Sequence, residues 1–562
     1  MARVETPSAP ESALRAARFA RWHVDATVLA VVAVLIRLPA FLANRSLVFD
    51  DGVFGVSALA MRAGEVPFRD IFSSQGPVFL PLVWVADVVG FRTMDAPRVL
   101  TVAAGVLLTV AVYSCARRIT TRANALLAAV LVTTSGSILW VTVPVNADGP
   151  SLALSVLAVA FALRYRDEPR LRTAVWMGLA AGAAVSIKAL AVPAVVIAGL
   201  VVLLSHRRVR DAAVSAGIAV TVYVVAALPF GIGRVWDQSY MYHQNSRRVN
   251  TYSGAAHKIL DTLWDRDLLV VLALVLAGIA LGVRVVLRRR SGAPGDRSLQ
   301  VVVAGLVLWI VMVFVVLMWE PAMWQAHVAH LVPPLALLAA LRPAPWSVLA
   351  IAGLVATPFF VSNNRSILWP DGYTGPEAAL VHRLERLPAD ALVISDNPGW
   401  VWRSGHRPPG AFADTSYQRI DNGEITKASL VKAASAHDVC GVISSSSTHF
   451  KRFHGLGDPL AAEGYTAVHF GPHITLFERA SCRVDSAAPS RPSGISVRSL
   501  LAGVPGSRPL AHVHGAASSP SAEAVEPTER RDRVDHPAER HELGGDVERQ
   551  QRQHHSEPDA VA

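Results

Sequence analysis

Apolar residues in this chain come in long unbroken blocks. They do not follow the rhythms of soluble amphipathic helices or half-buried strands. Residues 299–318 (LQVVVAGLVLWIVMVFVVLM) and 212–230 (AAVSAGIAVTVYVVAALPF) contain no charged side chain. Each approaches the ~20 residues a helix needs to cross ~30 Å of hydrocarbon. Blocks of this kind predict about eleven transmembrane helices, over roughly 24–43, 97–116, 123–143, 149–163, 173–187, 189–205, 212–230, 268–287, 299–318, 326–341 and 346–361. The fold class is therefore a polytopic α-helical membrane protein. The first apolar run, 26–36, has no small-residue cleavage site after it and reads as an uncleaved first helix.

Basic residues cluster between the blocks, and such clusters favour the cytoplasmic side. They occur at Arg15/Arg18/Arg21, Arg117/Arg118/Arg122, Arg164/Arg166/Arg170/Arg172, Arg207/Arg208/Arg210 and Arg284/Arg288/Arg289/Arg290. If all lie inside, an even number of crossings must separate one cluster from the next. Residues 77–91 are then expected to lie along the outer interface, because a crossing there would put the 117–122 cluster outside. The apolar run 173–205, flanked by basic clusters at both ends, is expected to cross twice with a tight outer turn near Lys188; a re-entrant pair is the alternative. An odd total from a cytoplasmic N-terminus, residues 1–23, places everything after 362 outside.

Beyond 362 the pattern changes. Short β-branched runs at 391–396 (ALVISD) and 439–444 (VCGVIS), and a pair of strands within 465–478, alternate with helical stretches near 376–387 and 426–437. These predict a small extracytoplasmic α/β domain over 362–482. The tail, 483–562, is rich in Ser, Pro, Arg, Glu and His and too poor in large apolar residues to offset its chain entropy. It is expected to be disordered, and His554/His555 to be solvated within it. Of three cysteines, Cys115 falls at a cytoplasmic helix end. Cys440 and Cys482 share the outer domain, where a disulfide is chemically permitted.

Composition agrees with lipid as solvent: 52% of the 562 residues are hydrophobic and only 17% charged, against about 25% charged in soluble domains. The net charge of +10 does not imply nucleic acid, because the basic residues lie in loop clusters rather than along one binding face.

With this topology the ionisable residues of distant loops gather at the outer face. Asp50 and Asp51 follow the first helix, and Asp70 lies in the same loop. Asn146 and Asp148 lie in the second connection, and Lys188 at the next outer turn. The 231–267 loop brings His243, Arg247 and Arg248, and Glu320, His327 and His330 follow residue 318. Ionisable groups at membrane depth are functional candidates. Each also has a plainer reading. Asp50 and Asp51 could end a helix at the water interface. Asp148 could cap the next helix, with Pro150 in its first turn. Lys188 could snorkel to headgroups. Arg247 and Arg248 run against the charge rule for outer loops, and a lipid phosphate would explain them. The spacing of His327 and His330 permits a shared metal with Glu320, or simple packing.

The segment FDDGVFGVSALAMRAGEVPFRDIFSSQGPVFLPL resembles the first extracytoplasmic loop of GT-C glycosyltransferases, most closely the family 39 protein O-mannosyltransferases and the lipid A aminoarabinose transferases. Those carry an acidic pair after the first helix, an aromatic residue three positions on and a glycine-rich turn. Asp50-Asp51, Phe54 and Gly64 stand in those places. NADGPSLALSVLAVAFALRYR, SIKALAVP, WDQSYMYHQNSRR and HVAHLVPPLALLAA resemble later segments, so that the likeness covers about 24–361. The departures are Asp for Glu at 51 and the lack of a family-type metal pair, so a divalent metal is left open and no cofactor is assigned.

The resemblance implies transfer of a sugar, mannose or a related one, from a polyprenyl-phosphate donor. The acceptor is a hydroxyl on protein, lipid or glycan. It implies Asp50 as base, Asp51 orienting the acceptor or substituting as base, and Asp148 positioning acceptor or metal. Lys188, His243, Arg247 and Arg248 fall to the donor phosphate, with Asp70 nearby. The competing readings are a lipid-linked saccharide transporter and a non-catalytic envelope assembly protein. A transporter calls for discontinuous helices or repeat symmetry, and the sequence displays neither.

Overall fold

The structure is a computed structural model that describes residues 11–206, 208–290, 297–446 and 448–482. The tail 483–562 with His554 and His555, and also Arg207, lie outside the described residues. So do the side chains of Arg15, Arg18, Arg288, Arg289 and Arg290.

All eleven apolar blocks are helical. Seven helices are long and apolar enough to span a bilayer: Ala20–Phe41, Arg98–Ile119, Ala189–His206, Val209–Phe230, Tyr252–Leu287, Ser298–Trp319 and Trp346–Asn363. Leu171–Ile187 and Gln325–Leu341 are shorter apolar helices, and Asp148–Asp167 is a largely buried helix at the centre of the bundle. Large apolar side chains on the outer helices, such as Val220, Val301 and Leu354, are exposed. This is the arrangement expected where lipid is the solvent. The 77–91 block forms only the short helix Phe79–Val89, at ~1.5 Å per residue less than 20 Å long and too short to span.

The run 173–205 forms two helices joined by a tight turn. Leu171–Ile187 stops at Lys188, which is extended (φ −155°, ψ 133°), and the chain returns through Ala189–His206. His206 Nε2 lies 2.9 Å from the Arg166 carbonyl, while Lys188 meets Asp148 at the start of the neighbouring 20-residue helix. The hairpin therefore reaches as far as that full-length helix. A glycine is required where the first loop crosses the turn. Gly76 N donates to the Ile187 carbonyl at 2.9 Å, and a Cβ on Gly76 would stand 2.2 Å from the Ser186 oxygen.

One span is discontinuous, contrary to the sequence reading. Arg122–Thr133 and Gly136–Thr142 meet at 62°. The cause is a buried carboxylate from another helix. Asp267 accepts from Ser135 Oγ at 2.6 Å, Ser137 Oγ at 2.5 Å and Ser137 N at 3.2 Å, and it is itself non-helical (φ −126°, ψ 27°) within Tyr252–Arg290. Two helices are thus kinked and pinned together at one level, and the freed backbone is satisfied by protein groups.

The C-terminal domain holds a four-stranded sheet: β1 (Leu392–Ser395), β2 (Val439–Ser445), β3 (Tyr465–Phe470) and β4 (Ile474–Arg479), in the order β1-β2-β4-β3. β1 and β2 are parallel, and β4 is antiparallel to both of its neighbours. Cys440 and Cys482 form a disulfide. The domain sits directly on the helix Phe49–Arg62, which carries Asp50 and Asp51. Its helix Pro398–Arg403 approaches so closely that a Cβ on Gly52 would stand 2.4 Å from Gly399 N. Arg403 pairs with Asp95 at 2.7 Å, and Arg407 pairs with Glu65.

Candidate active site

At the domain-bearing end, groups from five separate connections converge. The helix Asp148–Asp167 begins with its carboxylate free, because Asn146 performs the capping: its Oδ1 accepts from Asp148 N at 2.7 Å. The capping role expected of Asp148 therefore belongs to Asn146. Asp148, 1% exposed, accepts instead from Lys188 Nζ at 2.8 Å and stands 3.3 Å from His330 Nε2. Lys188 does not snorkel away; its Nζ also lies 2.9 Å from His327 Nε2. His327 Nδ1 in turn meets Glu320 Oε2 at 2.6 Å. One tautomer satisfies the chain: Nδ1–H donates to Glu320, and Nε2 accepts from the ammonium. Both histidines lie on the 3-10 segment Gln325–Leu331, where residues three apart eclipse one another.

Asp50 stands beside this network. It is half-buried, and Asn146 Nδ2 donates to its Oδ2 at 3.1 Å. Burial pushes its carboxyl up to about 6, against the pull of the Lys188 ammonium and with a push from Asp414 of the α/β domain. His243 is drawn to the same place, its Nε2 3.0 Å from the Ser74 carbonyl, and burial lowers its basicity.

Three expected members, Asp51, Arg248 and Asp70, are committed to other contacts. Asp51 is fully buried. It is paired with Arg98 at 2.5 Å and accepts from Val145 N at 2.8 Å and Leu47 N at 3.0 Å. Arg98 also donates to the carbonyls of Ala40, Ala43 and Arg45. The second half of the acidic pair is thus a structural clasp. Arg248 donates to the carbonyls of Trp319 at 2.9 Å and Met318 at 3.3 Å and stacks on Tyr252, closing a helix C-terminus. Asp70 pairs with Arg69 at 2.8 Å and accepts from Val66 N, fixing its own turn. Glu320, His327 and His330 do not converge on one point, since His330 turns to Asp148 with Lys188 between. Among the described residues no set of three or more His, Cys, Asp or Glu is placed to hold a metal ion. Arg247 is exposed, with no side-chain partner among the described residues.

The sequence reading missed Arg98, whose partner lies 47 positions away, and the contribution of the α/β domain. His449 packs its ring 4.8 Å from Phe49, next to Asp50, and Asp414 lies close enough to act on Asp50. No local signal in the domain sequence marks either residue.

A sequence model described as dolichyl-phosphate-mannose-protein mannosyltransferase matches residues 74–232. That stretch contains Asp148 and Lys188 and begins after Asp50. No curated protein sequence matches the chain. Among solved structures, ArnT from Cupriavidus metallidurans bound to undecaprenyl phosphate is similar in fold, with a TM-score of 0.57 at 14% identity over 82% of this chain and 99% of that one. The apo state of the same protein gives a TM-score of 0.58 at 13% identity over the same shares. The chain has the multi-pass membrane fold of GT-C glycosyltransferases.

Proposed function

We propose that this protein transfers a sugar, mannose or a related one, from a polyprenyl-phosphate donor to a hydroxyl acceptor at the domain-bearing face, inverting the anomeric carbon. Asp50 carries the reading. It is a half-buried carboxylate, poised near neutral pH and held by a single amide, beside a lysine. A general base works best with a pKa close to the operating pH. In the step, Asp50 takes the acceptor hydroxyl's proton as its oxygen bonds to the anomeric carbon. The bond from that carbon to the phosphate oxygen breaks, and the electron pair leaves with the lipid phosphate. One displacement gives inversion. Lys188 has three N–H donors, two of them committed to Asp148 and His327. The third is free for the departing phosphate, with Arg247 as a second cation. His243 stands beside the same groups.

The cell membrane, with the α/β domain outside and the N-terminus in the cytoplasm, is the location this chemistry calls for. The Cys440–Cys482 disulfide supports it, since such bonds persist in oxidising compartments. So do the basic residues at the opposite end of the bundle. The broken span Arg122–Thr142 does not favour a transporter, because Asp267 fills the break with its own hydrogen bonds and leaves no polar site there for cargo. The test is donor consumption. Purified protein in lipid nanodiscs, given polyprenyl-phosphate sugars with a radiolabelled sugar and a mixed envelope extract, should release labelled sugar from lipid. No consumption of any hexosyl or pentosyl donor would overturn the reading.

A further inference from the structure

Beside the Asp50–Lys188 cluster an open cleft of about 700 Å³ lies between the membrane domain and the α/β domain. That volume lies within the ~300–1,000 Å³ usual for small-ligand sites. One wall is the π-helical turn Asp237–Met241 together with Tyr242 and Asn245; the other is Asn422 and Glu424 of the α/β domain, with Phe72 between them. Single π-turns within helices frequently mark functional sites.

The walls are held in place without a ligand. Gln238 accepts from Ser73 N at 3.1 Å and donates to the Phe68 carbonyl at 3.0 Å, fixing the turn to the first loop. Arg419 lies over the Phe72 ring and spends its guanidinium on Glu424, Ala411 and Asp414. The Tyr242 hydroxyl is 3.3 Å from Ser416 Oγ, and Ser416 N donates to Asp414 at 2.8 Å. The Asp414 carboxylate acts on both Tyr242 and Asp50. The cleft thus abuts the Asp50 cluster through Tyr242 and the Asp414 loop.

We infer that this cleft binds a neutral glycan as the acceptor, an inference that rests on the glycosyl-transfer reading above. Sugar rings present apolar C–H faces that pack on aromatic rings, and the part-exposed Phe72, backed by the buried Tyr242, offers one here. Their hydroxyls both donate and accept, matching the exposed amides Asn245 and Asn422 and the carboxylates Asp237 and Glu424. Among the described residues no Lys, Arg or His lines the cleft itself. An anionic acceptor, such as a phosphorylated lipid headgroup, would meet the Asp237 and Glu424 carboxylates there, and the one cation beside them, Arg419, is already committed to Glu424 and two carbonyls.

The experiment is saturation-transfer NMR on the full chain in nanodiscs. The probes are neutral gluco-, manno- and galacto-trisaccharides, a glucuronate-containing trisaccharide and an unglycosylated Ser/Thr-rich peptide. At least one neutral trisaccharide should bind saturably. Asn422→Trp, which fills the cleft from an exposed position, should weaken it tenfold or more with the thermal midpoint unchanged. Asn245→Trp should do the same from the opposite wall. The inference is overturned if no neutral trisaccharide saturates, if neither variant changes binding, or if the anionic sugar or the peptide is preferred. Binding is read without turnover. Sugar binding with no donor consumption therefore defeats the transferase reading alone, and the reverse defeats this inference alone.

Discussion

The two ends of the helix bundle both bury carboxylates, but they use them differently. At the end away from the α/β domain each acid is closed into a pair. The buried Asp25 meets Arg122 at 2.6 Å and Tyr113 at 2.5 Å, the buried Asp211 accepts from Tyr165 at 2.5 Å, and at the surface Asp167 meets Arg118 at 2.6 Å. Each contact ties one helix to another and leaves nothing over. At the domain-bearing end Asp51 follows the same rule with Arg98, but its neighbour Asp50 does not. Asp50 has one amide partner, an open side and a shared lysine. Closed pairs hold helices together, whereas a carboxylate held by one weak donor near an ammonium is available for chemistry.

That contrast can be broken by mutation, beginning with the sealed pair. Arg98→Met leaves Asp51 buried without its counter-charge and should cost about 3–5 kcal/mol of stability, as breaking buried pairs does. Thermal unfolding of the purified protein measures it, and an unchanged midpoint would mean that the clasp is not structural. Lys188→Met should act on donor binding instead, weakening it by about 1.5–3 kcal/mol, the scale of a hydrogen bond to a charged group. Titration with polyprenyl phosphate reads this directly, and equal affinities would remove Lys188 from the phosphate site.

The pH profile sharpens the same point. Asp50 must be ionised to take a proton, and burial raises its carboxyl to about 6. Turnover should therefore rise with pH up to about 6 and level off above, falling roughly tenfold per unit on the acid side. A rate that is flat between pH 4 and 7 would contradict a base of this kind. The smallest effect belongs to the opposite end. Arg118 and Asp167 are each about a third exposed, so Arg118→Ala should cost at most about 1 kcal/mol, with donor turnover unaltered.

Much of this was legible in the sequence because lipid imposes simple rules. Uncharged blocks of membrane length became helices, and the basic clusters separated the two ends, so that Asp50, Asp148, Lys188, His243, Glu320, His327 and His330 could be assigned to one face before any contact was known. Partner choice was not legible. Asp50 and Asp51 are adjacent and chemically identical, and only the arrival of Arg98 from 47 positions away distinguishes them. Arg248 reads as a free outer cation until the carbonyls of Met318 and Trp319 reach it across 70 and 71 positions. The break in the third span is set by Asp267, 132 positions beyond Ser135. It leaves no mark in the apolar block itself.

The central claim is that Asp50 alone of the acidic pair moves the proton, and a single-turnover assay of Asp50→Asn tests it most directly. Asparagine keeps the shape and the neighbouring contacts but cannot accept a proton. Folding and polyprenyl-phosphate binding should match wild type, while the transfer rate falls by about 10²–10⁴, the usual contribution of a positioned base. Transfer at the wild-type rate by a folded, donor-bound Asp50→Asn protein would contradict the account.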